Sequence, residues 1–299
     1  MSEYNLKDYP LFTALITPFN EDCSVDWESL EKLFKQQEQA KNGILILGST
    51  GEALNIDLET RKEILKFTTS KVTSVPIMIG VGGSELKATQ DWISWCQAEL
   101  PKGSFHSFLL VTPLYAKPGR HGQTHWFQNL LDLSQVPCVL YNVPSRTGTS
   151  LHFDTVSDLK DHKNFFGLKE ASGSVKDFEE YRKRAPHQFL YSGDDALTFE
   201  FAKHNVNGLI SVASNIWPEK THLYLDKCLS RSLSDEDKSL WSKACDSLFE
   251  ASNPTPAKAL LNEIGVIKTG VLLAPLNEKD LASTENQQKY HQLISTWNS

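Results

Sequence analysis

Short apolar segments alternate along the chain with longer segments in which apolar residues follow a helical period. The short segments are rich in β-branched and aromatic residues, which is typical of buried strands, and the longer ones have the pattern of amphipathic helices. The pattern predicts strands over residues 11–16, 44–47, 77–81, 105–111, 138–141, 165–169, 188–191 and 208–212. It predicts helices between them over residues 27–40, 58–69, 87–100, 122–133, 153–159, 174–184 and 196–203.

This alternation of strands and helices is typical of an α/β protein that folds as a (β/α)8 barrel, the TIM-barrel class. We therefore predict a barrel domain over residues 1–216. Residues 217–299 contain no convincing strand, and their helical pattern is interrupted by Pro254 and Pro256. This part of the sequence predicts a helical C-terminal extension.

Residues suited to chemistry follow six of the predicted strands. They occupy positions 48–52, 112–115, 141–148, 169–170, 192–195 and 211–215. A TIM barrel binds its substrate at the carboxyl ends of its strands, which is where these positions would meet. We therefore expect the barrel domain to be catalytic, with one site formed by these loops.

Lys169 ends the apolar sixth strand and is followed at once by small residues, Ala171 to Gly173. A lysine is rarely buried without a partner, and burial lowers the pKa of its amine. Because a free amine attacks carbonyl carbons, one interpretation is a Schiff-base lysine. The other is a lysine at a strand end whose stem extends to bring the ammonium into water.

Three further loops carry groups suited to anion binding or proton transfer. Ser49 and Thr50 lie in a turn between glycines whose N–H groups and hydroxyls could bind an anion, although a plain tight turn fits these residues equally. Tyr141 could transfer a proton if Ser49 or Tyr115 lies within hydrogen-bond reach, the alternative being a packed aromatic ring. Arg146 could bind a carboxylate with two parallel hydrogen bonds, or it could be a solvated surface charge.

Composition and charge exclude several classes of partner. A net charge of −7 would repel nucleic acid. No apolar run approaches the roughly 18 residues of a membrane span, and the first four residues do not resemble the start of a signal peptide. The five cysteines are widely spaced and form no CxxC pair, which favours reduced thiols and a cytoplasmic location.

Known cofactor motifs are missing from the sequence. His121 and His125 lack the intervening glutamate of a zinc-protease helix, so metal binding is not expected. The glycines at 80, 82 and 83 miss the spacing of a dinucleotide-binding fingerprint, and the turn at 48–51 lacks the lysine of a Walker loop. We predict a site that needs neither a metal nor an organic cofactor.

Five motifs together resemble the pyruvate-dependent class I aldolase superfamily, which includes the N-acetylneuraminate lyases, and within it the dihydrodipicolinate synthase family. The motifs are GSTGE at 48–52, YNVPSRTG at 141–148, KEASG at 169–173, SGDD at 192–195 and NPTP at 253–256. The first motif and the strand-six lysine are shared by the whole superfamily. The related N-acetylneuraminate lyases usually lack an arginine at the position of Arg146 and a glutamate at that of Glu170.

The resemblance implies a condensation of pyruvate with L-aspartate 4-semialdehyde to 4-hydroxy-tetrahydrodipicolinate, the first committed step of diaminopimelate and lysine biosynthesis. It implies a homodimer or homotetramer and no cofactor beyond a covalent lysine–pyruvate Schiff base. The synthase branch commonly has threonine where Ser49 stands, so we expect a working but looser proton relay. The resemblance implies a Schiff base on Lys169 and a proton relay through Ser49, Tyr141 and a neighbouring subunit's Tyr115. It implies that Thr50 with Ser49 binds the pyruvate carboxylate and that Arg146 binds the semialdehyde carboxylate. It also implies that the backbone of Gly193 and Ile210 lines the site.

Two alternatives remain open at this point. One is another pyruvate-dependent lyase, such as an N-acetylneuraminate or 2-keto-3-deoxy-sugar-acid aldolase. Arg146 argues against this alternative, because a sugar substrate has no carboxylate at the position that Arg146 would bind. The other is a ligand-sensing relative without catalysis, for which a proton relay would have no use. Lysine-regulated relatives carry histidines near the positions of Leu58 and Arg61, so we expect lysine to inhibit this protein weakly or not at all.

Overall fold

Eight parallel strands form a closed barrel in the computed structural model, which describes residues 4–297. Residues 1–3 and 298–299 lie outside the described residues. Part of the signal-peptide expectation and the end of the predicted C-terminal extension fall on them. The strands are β1 (Leu11–Ala14), β2 (Gly43–Ile46), β3 (Ile77–Val81), β4 (Ser107–Val111), β5 (Cys138–Asn142), β6 (Phe165–Glu170), β7 (Phe189–Ser192) and β8 (Gly208–Ser211). The α-helices are α1 (Trp27–Gln39), α2 (Leu58–Lys71), α3 (Leu86–Glu99), α4 (Arg120–Leu133), α5 (Pro144–Thr147), α6 (Phe153–Leu159), α7 (Val175–Arg184), α8 (Thr198–Ala202), α9 (Pro218–Leu229), α10 (Asp235–Ser247), α11 (Thr255–Glu263) and α12 (Glu285–Thr296).

The predicted fold class is confirmed, since every predicted strand overlaps an observed strand of the barrel. Two strands are two residues shorter than predicted: β4 begins at Ser107 instead of residue 105, and β1, predicted to continue through Ile16, ends at Ala14. The N–H of Ile16 leaves the strand ladder because it donates to the side-chain oxygen of Asn215, at 3.0 Å. Helix α5 was not predicted, although Pro144 at its start and Gly148 at its end, with φ of 71°, are typical helix boundaries.

The barrel interior is filled by side chains from alternate strand positions, as a closed sheet requires. Phe12, Met78 and Val139 belong to this inner cluster together with Tyr141 and Tyr191. The strand register pairs position 169 with 141 on one side and with 191 on the other. Paired residues of parallel strands point to the same face, so the side chain of position 169 points into the barrel.

The helices after β8 complete the hydrophobic core on the outside of the barrel. Trp241, Leu260 and Ile294 join the cluster that also contains the outward-facing strand residues. The start of α11 lies against the loop after β2, where Asn253 and Lys258 make hydrogen bonds to it. The division between residues 216 and 217 stays a prediction. Over residues 4–297, no helix is both long and apolar enough to cross a membrane.

Candidate active site

Several predicted site residues line one cleft at the carboxyl end of the barrel. The cleft has a volume of about 1240 Å³, and Ser49, Tyr115, Tyr141 and Arg146 belong to its walls. Lys169 is not part of the cleft wall but packs against Tyr141, with its ammonium nitrogen 4.6 Å from the centre of the tyrosine ring. The loops after β2, β4 and β5 thus contribute to one cleft at the end of the barrel where this fold places its active sites.

Lys169 is buried in the barrel, with only 5% of its surface exposed. It forms no ion pair within the described residues, so its charge is not neutralised by a bonded carboxylate. Burial lowers the pKa of its amine to about 7, because the charged form loses its hydration. The interpretation of a lysine that extends into water is therefore wrong, and a substantial fraction of the side chain is a free amine near neutral pH.

Two charged groups modify the pKa of Lys169 in opposite directions. The carboxylate of Asp195 raises this pKa, and the guanidinium of Arg146 lowers it. Asp195 is held in place because it accepts hydrogen bonds from the Ser211 hydroxyl and from the N–H of Val212. The sequence analysis did not assign Asp195 to the site, although it lies in the SGDD motif after β7.

Of the two residues predicted to line the site with their backbone, Gly193 lies next to Lys169. A Cβ atom at position 193 would lie 2.7 Å from Cβ of Ala171 and 2.8 Å from Cε of Lys169, closer than real Cβ contacts allow. The absence of a side chain at Gly193 therefore lets the backbone after β7 approach the lysine. Ile210 packs in the inner cluster that contains Tyr141.

The turn after β2 presents Thr50 to a residue from the C-terminal helices. Within this turn Gly51 N donates to Gly48 O at 3.1 Å, so that N–H is occupied. No acceptor for the N–H groups of Ser49 and Thr50 lies in the described part of the chain. The hydroxyl oxygen of Thr50 accepts a hydrogen bond of 2.9 Å from Nδ2 of Asn253. The Thr50 hydroxyl proton and two backbone N–H groups are thus available to an anion.

Helix α5 carries Arg146 to the same place. One guanidinium nitrogen of Arg146 donates to the carbonyl oxygen of Asn253, at 3.2 Å. Burial raises the pKa of the nearby Tyr141 to about 12, while the positive charge of Arg146 favours its ionised form. Asn253 therefore links the anion-binding turn to the arginine, a role that the sequence analysis did not predict. The NPTP motif was the only signal for it.

Tyr115 and Ser49 are not brought into a closed proton relay within one chain. Tyr115 is 92% exposed and has a φ of 66°, in the left-handed region. Ser49 is exposed, and no hydrogen bond joins its hydroxyl to that of Tyr141 among residues 4–297. The roles of both residues stay predictions. Leu58 and Arg61, expected near a regulatory site, also line the cleft.

Metal-binding side chains do not converge in the part of the chain that the structure describes. No three histidine, cysteine, aspartate or glutamate side chains of this part are placed to hold one metal ion. The predicted site residues supply an amine beside the cleft, together with hydroxyls, a guanidinium and backbone N–H groups. These groups suit carbonyl chemistry on a substrate that carries carboxylates.

Comparisons with known proteins agree with this geometry. The chain matches the model of the dihydrodipicolinate synthetase family over residues 9–296. It is 46% identical over 287 residues to the 4-hydroxy-tetrahydrodipicolinate synthase of Francisella philomiragia, with 96% of each chain covered. It is 40% identical over 293 residues to the protein of the same name from Wolbachia pipientis, with 98% of each chain covered.

Solved structures show the same similarity over the barrel and the C-terminal helices. The structure of DHDPS from Cyanidioschyzon merolae with lysine bound has a TM-score of 0.89 at 26% identity, over 97% of this chain and 99% of that one. The chloride-inhibited dihydrodipicolinate synthase from Acinetobacter baumannii, complexed with pyruvate, has a TM-score of 0.85 at 30% identity, over 95% of this chain and 99% of that one.

The buried amine makes a testable prediction about stability. The pKa of Lys169 is about 7 in the folded chain, against 10.5 for a lysine in water. Between these two pH values the unfolded chain binds more protons, so this residue makes stability rise with pH. Lys169→Met should therefore raise the free energy of unfolding by up to about 5 kcal/mol at pH 6, and the gain should disappear towards pH 10.5.

Urea denaturation of the wild type and Lys169→Met at pH 6, 8 and 10 measures this difference. The same substitution at the exposed Lys102 is the matched control for the change of side chain. A stability gain at position 169 that does not vary with pH would contradict the lowered pKa.

Proposed function

The chain belongs to the dihydrodipicolinate synthetase family, and we propose that it condenses pyruvate with L-aspartate 4-semialdehyde to give 4-hydroxy-tetrahydrodipicolinate. This is a lyase reaction of lysine and diaminopimelate biosynthesis. We further propose that the protein works in the cytoplasm, that it needs no added cofactor, and that L-lysine inhibits it weakly or not at all.

The buried, unpaired amine of Lys169 is the observation that carries this proposal. Its lowered pKa gives a nucleophilic free amine near neutral pH, and it lies at the carboxyl end of a barrel strand, where this fold places its chemistry. A lysine kept only for structure would be expected to have an ion-pair partner.

The proposed reaction begins when the nitrogen of Lys169 attacks the keto carbon of pyruvate. Loss of water gives an iminium ion, whose positive charge allows the methyl group to lose a proton and become an enamine. The enamine carbon then attacks the aldehyde carbon of the second substrate, whose oxygen takes up a proton. Finally the amine of that substrate attacks the iminium carbon and displaces Lys169 as the ring closes, so that the enzyme is regenerated.

We assign the pyruvate carboxylate to the turn after β2. Thr50 would donate its hydroxyl proton, with help from Ser49 and the two free N–H groups of the turn. Gly193 and Ile210 would line the site with their backbone. Protons would move through Tyr141 and Ser49, and a pKa of about 12 keeps the hydroxyl of Tyr141 protonated and able to donate.

We assign the carboxylate of L-aspartate 4-semialdehyde to Arg146. Its guanidinium is exposed to the cleft and bonds only one carbonyl oxygen, that of Asn253, among the described residues. A planar guanidinium with free N–H groups suits two parallel hydrogen bonds to a carboxylate. A substrate without that carboxylate would leave the arginine unused, which favours the synthase over a sugar-acid lyase.

Removal of Arg146 should affect the two substrates differently. Arg146→Ala should lower kcat/KM for the semialdehyde by about a hundredfold, since charge-assisted hydrogen bonds of about 1.5–3 kcal/mol are lost. Arg146→Lys should rescue little, because a single ammonium cannot form the paired bonds. Pyruvate binding, measured by borohydride trapping at pH 9 where the amine of Lys169 is free in both proteins, should change little.

Steady-state kinetics with mass-spectrometric identification of the product checks this prediction. Arg120→Ala is the matched control, since Arg120 pairs with Asp158 on the surface, at 2.7 Å, away from the cleft. An unchanged kcat/KM in Arg146→Ala would remove this arginine from the site and favour a different aldehyde substrate.

The exposure of Tyr115 supports a site shared between two copies of the chain. We propose that Tyr115 enters the cleft of a neighbouring subunit in a homodimer or homotetramer. Mixing Tyr115→Phe subunits with Lys169→Ala subunits should then restore activity, because one site of a mixed dimer has both groups intact. Mixing Tyr141→Phe with Lys169→Ala should restore none, because those residues act within one chain.

Activity assays after subunit exchange, followed by native mass spectrometry of the mixed dimers, test this arrangement. Mixed dimers that form without regaining activity in the Tyr115 pairing would place Tyr115 in its own subunit's site or outside the relay.

A further inference from the structure

We infer that the buried ion pair between Lys258 and Glu52 positions the turn that binds the pyruvate carboxylate, so that the C-terminal helices take part in substrate binding. This inference rests on the proposed function. It assigns a positioning role to two residues that lie on opposite sides of the predicted boundary between barrel and extension. Neither of them touches the reacting atoms.

Lys258 is fully buried, and its ammonium nitrogen has two hydrogen-bond acceptors and one aromatic ring as neighbours. The nitrogen lies 2.5 Å from Oε1 of Glu52 and 2.9 Å from the carbonyl oxygen of Val271. It also lies 4.1 Å from the centre of the Phe19 ring, where the aromatic face attracts the cation. Glu52, Val271 and Phe19 belong to three separate segments of the chain, and together they restrain the position of the ammonium.

Glu52 is almost equally buried and also bonds to the segment that contains Val271. Its Oε2 accepts a hydrogen bond of 2.7 Å from the N–H of Leu273. Both carboxylate oxygens are therefore engaged by residues of the C-terminal extension. A buried ion pair is a poor source of stability, because the loss of hydration offsets the attraction between the charges. Its directional bonds, however, define where the two segments lie.

The turn needs such a restraint because its backbone is strained at both ends. Leu47 has a φ of 56° and Glu52 a φ of 54°, both in the left-handed region that residues with side chains rarely adopt. Such conformations persist only where surrounding contacts impose them. Residues 48–51 lie between these two positions, and Thr50 is among them.

A second contact joins the C-terminal extension directly to the turn that is proposed to bind pyruvate. Asn253 precedes α11 and donates from Nδ2 to the hydroxyl oxygen of Thr50, at 2.9 Å. Because this oxygen accepts from Asn253, the Thr50 hydroxyl proton is free to point at a carboxylate. Lys258 lies on α11 itself, so the ion pair holds the segment from which Asn253 reaches Thr50.

The test measures the pyruvate concentration at which half of the protein is trapped by borohydride. The key variant is Lys258→Met combined with Glu52→Gln, which removes both charges and leaves no unpaired one in the interior. We expect the half-trapping concentration to rise about tenfold, which corresponds to about 1.4 kcal/mol. Ile294→Val, a buried change in α12, is the control for a general loss of stability.

A double-mutant cycle with Thr50→Val separates positioning from a merely structural effect. If the ion pair acts through the Thr50 hydroxyl, adding Thr50→Val to the charge-free variant should raise the concentration little further. Effects that simply add, or a half-trapping concentration equal to that of the wild type, would overturn the inference. Glu52→Asp keeps both charges but shortens the arm by one methylene, and it provides the same comparison if the charge-free variant does not fold.

The same measurement keeps this inference distinct from the proposed function. A wild-type chain that is not trapped with pyruvate at all would contradict the Schiff-base function itself. A wild-type chain that is trapped, with the charge-free variant trapped at the same pyruvate concentration, would contradict only the positioning role of Lys258 and Glu52.

Discussion

An amine buried without a bonded carboxylate is the constraint on which the rest of this structure depends. Two lysines among residues 4–297 are almost fully buried, Lys169 in the barrel and Lys258 in α11. Burial lowers the pKa of Lys169 to about 7 and that of Lys258 to about 8, and the nearby Glu52 opposes this effect only for Lys258. The ammonium of Lys258 donates hydrogen bonds to Glu52 and Val271, whereas the nitrogen of Lys169 has no ion-pair partner among the described residues. Both lysines are buried, but only the ammonium of Lys258 has a bonded carboxylate. This difference, more than burial, separates Lys258 from the proposed nucleophile, Lys169.

The closed barrel is what keeps such an amine in place. Strand register puts Tyr141 and Tyr191 on either side of Lys169, and both rings are buried in the inner cluster. Asp195 supports the ammonium form from a position fixed by hydrogen bonds at the end of β8. The opposing influence of Arg146 links the pKa of this amine to a guanidinium on the cleft wall. The protonation of Lys169 therefore depends on two charged groups at the barrel mouth, Asp195 and Arg146.

The sequence predicts the parts of this site that depend on local pattern. The strands and the place of Lys169 at the end of β6 could be predicted because a short apolar run is visible within a few positions. Helix α5, which carries Arg146, has only 4 residues and is too short to give a periodic signal. The bond between Asn253 and Thr50 joins residues 203 positions apart, and no local pattern indicates which side chains meet across that distance. The proposed partner of Tyr115 would belong to another subunit, and the pattern of one chain does not describe such a surface.

Peptide mapping of the borohydride-reduced pyruvate adduct tests the central claim most directly. The full chain is treated with pyruvate and borohydride at pH 8, digested, and analysed by tandem mass spectrometry for the lysine that carries the adduct. The account predicts one adduct per chain, on the peptide that contains Lys169, and none on the peptide that contains Lys258. An adduct on Lys258 or on another lysine, with Lys169 unmodified, would contradict it.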